Sequence, residues 1–414
     1  MDWLAGRARD GTMKARWAVV MIVGAWMVWP VQAMGAGYAQ NVQGASAAGV
    51  SGAMVARPNT AEAGYYNPAG WVLQGSGGVS LSGAASVPWV DVEVEATEES
   101  GRAALDGRVQ GQGFGFVRRG DVAVGLYGGQ SYGGGLKWPE DWEGRYEVGA
   151  MEVSAWEVAP SVAYRPIDRV ALGVGPRIVR GAMSQANRVA ASQDGQEYLW
   201  EMEASAVGVG MQAGAWAAVS DSLALGASWR SAIDLEMEAS TQALSLEDGE
   251  PWDLEAMTTT VLPQRWSLGL AYRMAPMGIL SLDLEYRRWG AYDRVEVGFD
   301  DSAAEPVVEE RDWEGTLAMR AGVEARGLAD GLIIRSGLAI EPSPAPEREA
   351  RTAQPDGDRT VVSLGGGFEI TSEWRIDGAY QFIILDQNAS QGDGFEGIYD
   401  GQIHAFAMGL SGRF

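Results

Sequence analysis

The chain has 414 residues, a formal net charge of −24 and no cysteine. Without cysteine there is no disulfide framework or thiolate site, and a single histidine excludes zinc sites built on several histidines. The acidic charge argues against nucleic acid, whose phosphates require a basic face. Mean hydropathy is −0.10, too low for a bundle of membrane helices of about 20 apolar residues each. The 57 glycines, 17 tryptophans and 13 tyrosines suit the turns and aromatic belts of a membrane β-barrel.

The N-terminus predicts a signal peptide over residues 1–35. A basic start precedes the apolar run Trp17–Trp29, which Pro30 ends, and small residues follow. This run is too short to span a membrane, and the order of features is that of an export signal. We therefore expect an exported protein. Translation from Met1 and translation from Met13 both fit this pattern.

Alternation with period two dominates the rest of the chain. In one such segment, Leu280, Leu282, Leu284 and Tyr286 alternate with Ser281, Asp283, Glu285 and Arg287. Successive side chains of a strand point to opposite faces, so these segments have one apolar face and one small or charged face. With an export signal upstream, we expect the apolar face to contact lipid. The other face is expected to line a polar lumen, where carboxylates such as Asp283 and Glu285 are solvated.

Fourteen segments of this kind predict an all-β, antiparallel transmembrane barrel over residues 79–414. The predicted strands are Val79–Val87, Gly113–Arg118, Val122–Gln130, Met151–Arg165, Val170–Ser184, Ala204–Ala218, Leu223–Met237, Thr258–Tyr272, Ile279–Tyr292, Leu317–Gly327, Leu332–Glu341, Arg359–Ile370, Arg375–Ile384 and Gly401–Phe414. Short turns alternate with long acidic connections, including Gln185–Glu203 and Ala239–Met257, which we expect to be extracellular loops. The acids either solvate these loops or bridge to the anionic cell surface through divalent cations.

Several short motifs occur in the order found in the FadL family of outer-membrane long-chain fatty acid transporters. They are Ala36–Asn41, Asn67-Pro68-Ala69, Leu262–Trp266, Leu284–Trp289, Arg335–Ala339, Ser343–Pro346 and Pro355–Arg359. The chain resembles this family over nearly all of its mature length. The resemblance implies a 14-stranded antiparallel transmembrane β-barrel of the Gram-negative outer membrane, with an N-terminal hatch over residues 36–78. It also implies passive, hatch-gated uptake of hydrophobic small molecules, with no cofactor and no metal.

The resemblance further implies a route for the ligand. In the family, ligands are caught between extracellular loops and leave sideways through a gap where the third strand kinks inward. The residues that this assigns to passage and gating are Tyr38, Asn67, Pro68, Ala69, Gly128, Gly129, Gly133, Gly134 and Arg335. The Asn67-Pro68-Ala69 motif is expected where the hatch meets the first strand. Glycines in a strand mark bulges and weakened ladders, although general glycine abundance also explains them.

The expected partners are a hydrophobic ligand, outer-membrane lipid, lipopolysaccharide and the barrel assembly machinery. The final strand ends in Phe414, which resembles the assembly signal of outer-membrane proteins. Long-chain fatty acids and aromatic hydrocarbons both remain open as ligands. A barrel enzyme acting on lipids is an alternative, but it needs a nucleophile and a base. Only His404 is available, and by parity it shares the outer face of Phe406. We therefore predict no catalytic residue, and the expected hatch argues against an open general porin.

Overall fold

The structure is a computed structural model that describes residues 39–40, 42–94, 99–103, 108–139, 146, 149–190, 197–246, 251–274, 278–292, 294–299, 307–310, 313–345, 357–391 and 396–414. Its strands are β1 (Gly77–Val94), β2 (Glu99–Ala103), β3 (Arg108–Arg119), β4 (Val122–Lys137), β5 (Ala150–Ile167), β6 (Val170–Ala190), β7 (Glu197–Ala218), β8 (Leu223–Arg230), β9 (Ile233–Ser245), β10 (Pro251–Leu262), β11 (Arg265–Met274), β12 (Gly278–Arg287), β13 (Arg294–Phe299), β14 (Val307–Glu310), β15 (Thr316–Arg326), β16 (Leu332–Glu341), β17 (Arg359–Glu369), β18 (Trp374–Gln391) and β19 (Glu396–Arg413). The described residues contain no helix that is long and apolar enough to cross a membrane.

These strands form one antiparallel sheet that closes on itself, because β1 pairs with β19 along its length. Each crossing of the barrel wall by the chain, from one rim to the other, is called a pass. Five passes are interrupted and consist of two strands each, so the nineteen strands form fourteen passes. Closure satisfies the backbone hydrogen bonds that hydrocarbon cannot. The predicted fold class is confirmed, and each predicted strand overlaps one pass. The C-terminus lies beside the start of β1, where the amide of Gly77 donates to the carbonyl of Phe414 over 2.8 Å.

The passes extend further toward the rim of the long connections, here called the outer rim, than the sequence predicted. β6 continues to Ala190 and β7 begins at Glu197, so most of the expected loop Gln185–Glu203 is strand. Most of the expected loop Ala239–Met257 is also strand. Both loop predictions were wrong for the described residues, because Glu201, Glu203, Asp253 and Glu255 alternate with apolar residues and occupy one face of a strand rather than a turn.

The two faces of the sheet exchange polarity along each long pass. The half of the barrel near the outer rim is called the upper half, and the half near the short turns the lower half. On the lower part of β7, Val207 and Val209 point outward and are 67% and 68% exposed. On the upper part, Glu201 and Glu203 point outward while Met202 is buried inside. Lipid accounts for the lower arrangement and water for the upper one. The predicted polar lumen is therefore correct for the lower half of the barrel and wrong for the upper half, whose interior is apolar.

Residues 42–76 lie inside the lower half and are called the inner segment. They contain helix α1 (Ala45–Ala48), helix α2 (Ala63–Tyr66) and a 3₁₀ helix, η1 (Pro68–Leu73); a further 3₁₀ turn, η2 (Trp289–Ala291), lies near the outer rim. The carboxylate of Glu62 joins α1 to the barrel wall. It accepts from the hydroxyl of Ser46 at 2.5 Å, the amide of Ala47 at 3.1 Å and the hydroxyl of Ser80 at 3.2 Å. Burial has the largest effect on the pKa of Glu62 and raises it above 4.5, although the Ser46 hydrogen bond lowers it.

Candidate functional site: a gap between two strands and the residues that fill it

The ladder between β3 and β4 stops halfway up the barrel. Its last pair is Gln112 with Gly129. Above it, the described residues of β3 pair with β1, and those of β4 pair with β5. Ser131 is the extra residue of a bulge in β4, since the register with β5 shifts between Gln130 and Tyr132. A bulge bends its strand and disrupts the ladder, so the wall has a gap between the upper parts of β3 and β4.

Two residues ahead of the inner segment occupy this gap. Ala39 forms an antiparallel bridge with Tyr132, and the backbone amide of Gln40 donates to the carbonyl of Ser131 over 3.1 Å. The side chain of Gln40 spans the gap. Its Nε2 donates to the carbonyl of Gly133 at 2.8 Å, and its Oε1 accepts from Nε2 of Gln110 at 3.1 Å. The free edge of β4 is thereby capped by a short piece of strand and by one side-chain amide.

The start of the inner segment is held at the lower end of the gap. Gln43 donates from Nε2 to the carbonyl of Gln130 at 2.8 Å, and its Oε1 accepts from the hydroxyl of Tyr127 at 2.8 Å. The backbone amide of Gly44 donates to Oε1 of Gln112 at 2.6 Å. Gly44 has φ of +105°, a conformation that glycine adopts without steric cost. These contacts fix the chain where it enters the lumen from the gap.

A cavity of about 110 Å³ lies behind the gap. We call it the gap cavity. Its lining includes Gln40, Gly44, Ala48, Ala84, Gln110, Gln112, Gly133, Gly134, Arg359, Gln381, Ile383, Ile403 and Ala407. The residues that close the gap therefore also bound the cavity, and a change in their position would alter both.

The Asn67-Pro68-Ala69 motif lies elsewhere, against β6 and β7. Nδ2 of Asn67 donates to the carbonyls of Val55 at 3.0 Å and Ala215 at 2.8 Å, and its Oδ1 accepts from the amide of Ala69 at 3.1 Å. The expectation that this motif lies where the hatch meets the first strand was wrong. η1 begins inside the motif, at Pro68, and Asn67 is hydrogen-bonded to β7 rather than to β1. Its observed role is to cap η1 and to attach the inner segment to β7.

Glycines let the inner segment touch the backbone of the wall. A Cβ on Gly214 would lie 2.1 Å from Oδ1 of Asn67, and one on Gly173 would lie 2.5 Å from the amide nitrogen of Ala69. Comparable close approaches to the inner segment occur at Gly125, Gly226, Gly269, Gly322, Gly337 and Gly365. These glycines lie on eight different strands, so the barrel is fitted to the inner segment around most of its circumference.

Buried ion pairs complete the attachment. Arg57 of the inner segment pairs with Glu324, which also accepts from Arg335 at 2.8 Å. Arg335 donates to Asp377 at 2.7 Å and is 1% exposed. Arg335 is therefore held between two carboxylates on the wall, away from the gap cavity.

The two carboxylates that the sequence suggested were solvated are also buried. Oδ2 of Asp283 accepts from the amide of Val55 at 2.9 Å. Glu285 lies among three arginines, with Arg287 at 2.6 Å, Arg320 at 3.4 Å and Arg265 at 3.5 Å. The expected solvation was wrong, because the inner segment excludes water from this level of the lumen.

The upper interior is a cluster of apolar side chains rather than a polar pore. Its members include Trp138, Met151, Met183, Trp200, Met202, Leu235, Met237, Trp289, Tyr292 and Trp313. Trp200 is 1% exposed and Met202 is 2% exposed. Aromatic and thioether groups adapt to apolar ligands of different shape, so this region can solvate a hydrophobic molecule that enters from outside.

The structure brings some of the predicted residues together and separates others. Gly128, Gly129, Gly133 and Gly134 all lie on β4 at the gap, and Tyr38 lies outside the described residues. Within the described part of the chain, no group of three or more acidic or histidine side chains is arranged to hold a metal ion. His404 lies on the outer face, where its Nδ1 is 2.7 Å from the hydroxyl of Tyr380.

The sequence analysis did not single out Gln40, Gln110 and Gln112. Gln110 and Gln112 lie on the inward face of β3, next to the glycine-rich strand, but Phe114 and Phe116 share that face, so alternation in the sequence gave no signal for them. Uncharged amides at such positions indicate a need for hydrogen bonds that the sheet does not supply. The pairing partner of Gln40 follows only from the three-dimensional fold.

Comparison with known proteins places the chain in a family. A family model described as "Outer membrane protein transport protein (OMPP1/FadL/TodX)" matches residues 26–414. The chain belongs to this family. It is an outer-membrane protein, in agreement with the sequence prediction, and its family consists of transport proteins.

The curated relatives are distant. Outer membrane protein P1 of Haemophilus influenzae is 23% identical over 286 residues, which cover 60% of each chain. The 47 kDa outer membrane protein of Pasteurella multocida is 22% identical over 154 residues, which cover 37% of this chain and 35% of the relative. The chain therefore matches between about one third and three fifths of the length of these relatives.

Solved structures share the fold over nearly the whole barrel. A Pseudomonas aeruginosa FadL homologue has a TM-score of 0.82 at 16% identity, and the match covers 91% of this chain and 99% of that one. The Pseudomonas putida toluene transporter TodX has a TM-score of 0.73 at 16% identity, with 90% and 99% covered. At these identities the likeness concerns architecture alone.

Proposed function

We propose that the protein is a passive outer-membrane channel for hydrophobic small molecules such as long-chain fatty acids. In this proposal, ligand enters the upper apolar cluster from outside and moves down to the gap cavity. It leaves sideways through the gap between β3 and β4 when the residues that cap it move. The inner segment acts as the hatch, and the partners are the ligand and the surrounding lipid and lipopolysaccharide.

The main support for this proposal is the gap between β3 and β4, which is closed by only a few residues. The ladder is interrupted above Gln112 and Gly129, and its place is taken by Ala39 and the side chain of Gln40. A bridge of one residue pair and a few hydrogen bonds costs little to open, since each net hydrogen bond contributes about 0.5–1.5 kcal/mol. The inner segment itself is held by many buried contacts, so displacement of the whole segment is a costlier route.

A reversible cross-link tests this route. Ala39 and Tyr132 are bridge partners, and side chains so paired have Cβ atoms about 4.5–5.5 Å apart, close to disulfide range. The chain has no cysteine, so Ala39→Cys with Tyr132→Cys introduces a unique pair. We expect oxidation to block uptake of labelled oleate by cells, and reduction to restore it.

A second cysteine pair provides the control. The hydroxyls of Ser51 and Ser363 are 2.8 Å apart, so Ser51→Cys with Ser363→Cys ties the inner segment to β17, away from the gap. We expect uptake in this variant to be the same before and after reduction. Equal uptake by the oxidised and reduced forms of the gap pair would contradict exit through the gap.

Uptake of aromatic hydrocarbons by the same route is the second candidate function. The aromatic rings of the upper cluster favour it, since Trp289 and Trp313 have centroids 5.2 Å apart and Tyr292 and Trp313 are 4.9 Å apart. TodX, a structural neighbour, is a toluene transporter by name. Labelled toluene beside oleate in the same cells separates the two: uptake of toluene but not oleate would replace the first candidate by the second.

A further inference from the structure

A second interruption of the barrel wall lies between β7 and the pass formed by β8 and β9. The ladder between β7 and β9 ends at Ser205, and the ladder between β7 and β8 begins at Gln212. Just above Gln212, Met211 exchanges two hydrogen bonds of 2.9 Å with Ser231. The remaining five residues, Ala206–Gly210, have no ladder partner in β8 or β9, two strands that the structure describes in full. We call these five residues and the facing start of β9 the seam. Paired backbones hold a barrel wall closed, so the wall is weaker at the seam.

At the seam, β9 lies partly on the lumen side of β7 rather than beside it. Gly208 and Gly210 of β7 face the lumen. A Cβ on Gly208 would lie 3.0 Å from the carbonyl oxygen of Asp234, and a Cβ on Gly210 would lie 2.7 Å from the side chain of Ile233. The start of β9 therefore overlaps the inner face of β7. The overlap is possible because two inward positions of β7 have no side chain, and glycine in a strand permits such a close approach of backbones.

Two side chains cover the seam from inside. Ile233 and Leu235 are 2% and 1% exposed and belong to the apolar cluster of the upper half. Leu235 extends as far as β6, where a Cβ on Gly181 would lie 2.7 Å from it. On the outer side of the seam, Val207 and Val209 are exposed. A path from the outside of the barrel to the upper cluster at this level is thus apolar at both ends and is closed by two side chains.

The position of the seam suits molecules that are dissolved in the outer leaflet. The outward residues of β7 change from apolar at Met211, below the seam, to acidic at Glu203, above it. The seam therefore lies at the boundary between lipid and water. Asp234 and Glu236 are exposed on the β9 side, and their negative charges repel an anionic headgroup. An uncharged hydrophobic molecule meets no such repulsion.

We propose that the seam is a side entrance through which uncharged hydrophobic molecules dissolved in the outer leaflet reach the upper apolar cluster. Ile233 and Leu235 are its cover, and they move when a molecule passes between β7 and β9. The ligand class is a compact hydrocarbon without an ionised group. This inference rests on the proposed function and adds a second way in, beside entry from the outer rim.

A reversible bridge across the seam tests the assignment. If the register above the seam continued downward, Val207 would face Glu236, and both side chains are exposed. The chain has no cysteine, so Val207→Cys with Glu236→Cys can be joined by a short bis-methanethiosulfonate reagent and released by reduction. The full protein is placed in phosphatidylcholine nanodiscs that contain adamantyl diazirine, an uncharged photoreactive hydrocarbon. Mass spectrometry detects its attachment to the upper cluster, at Met202 and Leu235. We expect bridging to abolish this labelling and reduction to restore it.

Val207→Cys with Arg180→Cys is the matched control. Arg180 is paired with Val207 across the uninterrupted ladder between β6 and β7, and its side chain is also exposed. Bridging this pair should leave the labelling unchanged, and heat-modifiable migration on gels checks that each variant folds. Labelling that survives the bridge across the seam would overturn the inference and would mean that the probe reaches the cluster by another route. Equal loss of labelling in both bridged variants would also overturn it.

A diazirine-bearing alkyl sulfonate, whose headgroup stays ionised, tests the restriction to uncharged molecules. Its labelling of the cluster should be the same before and after the seam is bridged, and a loss on bridging would overturn the restriction. Uptake of labelled oleate and toluene by cells separates this inference from the proposed function. Normal uptake by the wild type together with labelling that ignores the bridge refutes the side entrance alone. Wild-type cells that take up neither compound refute the proposed function as well.

Discussion

Replacement of Asn67 by alanine should loosen the inner segment without unfolding the barrel. The side chain makes three hydrogen bonds, to Val55, Ala215 and Ala69, of 3.0, 2.8 and 3.1 Å. At about 0.5–1.5 kcal/mol each, their loss weakens docking of the segment by roughly 1.5–4.5 kcal/mol. The barrel ladders do not depend on this side chain, so the free energy of unfolding of the barrel should change much less.

Hydrogen exchange of backbone amides, measured by mass spectrometry, separates the two effects. Because about 1.4 kcal/mol corresponds to a factor of ten, amides in residues 45–73 that exchange by local opening should exchange roughly 10 to 1,000 times faster. Peptides from β9 and β10, in the upper half of the barrel, should be unaffected. Asn59→Ala is the control, since the side-chain amide of Asn59 lies 3.1 Å from the guanidinium of Arg57 in the same segment. Unchanged exchange in residues 45–73 of Asn67→Ala would refute the reasoning.

Three further substitutions, two of them paired with a control substitution, test the wall. Glu285→Gln leaves three buried arginines without their shared carboxylate and should lower the free energy of unfolding in urea by about 3–5 kcal/mol; a loss below about 1 kcal/mol would show that these arginines are hydrated. Leu268→Arg, on a lipid-facing position that is 61% exposed, should cost about 2–4 kcal/mol, whereas Glu203→Arg above the membrane should cost about 0.5 kcal/mol or less. Similar costs for both substitutions would mean that the membrane boundary does not lie between the levels of Leu268 and Glu203. Gly214→Val places a Cβ 2.1 Å from the inner segment and should accelerate proteolysis of that segment in detergent. Gly111→Val is the control, because a Cβ there meets nothing within 4 Å. Equal proteolysis of the two variants would argue against a close fit between the wall and the inner segment.

The lower half of the barrel was predictable from the sequence because one rule governs it. Where lipid lies outside, outward residues must be apolar, as Trp266 and Leu268 are, and a shift by one residue would bury charges such as Asp283 in hydrocarbon. The period-two signal is therefore strong at every pass. Fourteen passes and their order follow from it and from the short turns.

The upper half was misread because the same rule reverses there. Glu201, Met202, Glu203 and Ala204 alternate as strongly as any membrane segment, but the charged face is outside. A sequence pattern gives the alternation and not the side on which water lies. Acidic residues were thus assigned to loops that are mostly strand.

The location of the gap was partly predictable, and the residues that fill it were not. Gly128, Gly129, Gly133 and Gly134 identify the strand that is weakened. The bulge itself is at Ser131, and the contact between Gln40 and Gln110 joins residues 70 positions apart. Such a contact depends on where the folded barrel places the chain that precedes the inner segment, which no local pattern specifies.

The glycines that receive the inner segment also determine what the barrel would become without it. Because eight strands lack an inward side chain at that level, deletion of residues 42–76 would leave backbone and short side chains around the lumen rather than a collapsed core. The lower lumen would then fill with water, whereas the apolar cluster of the upper half would still lie between it and the outside. A cell with this deletion should become sensitive to large hydrophilic antibiotics only if that cluster is opened as well, so the barrel contains two barriers in series.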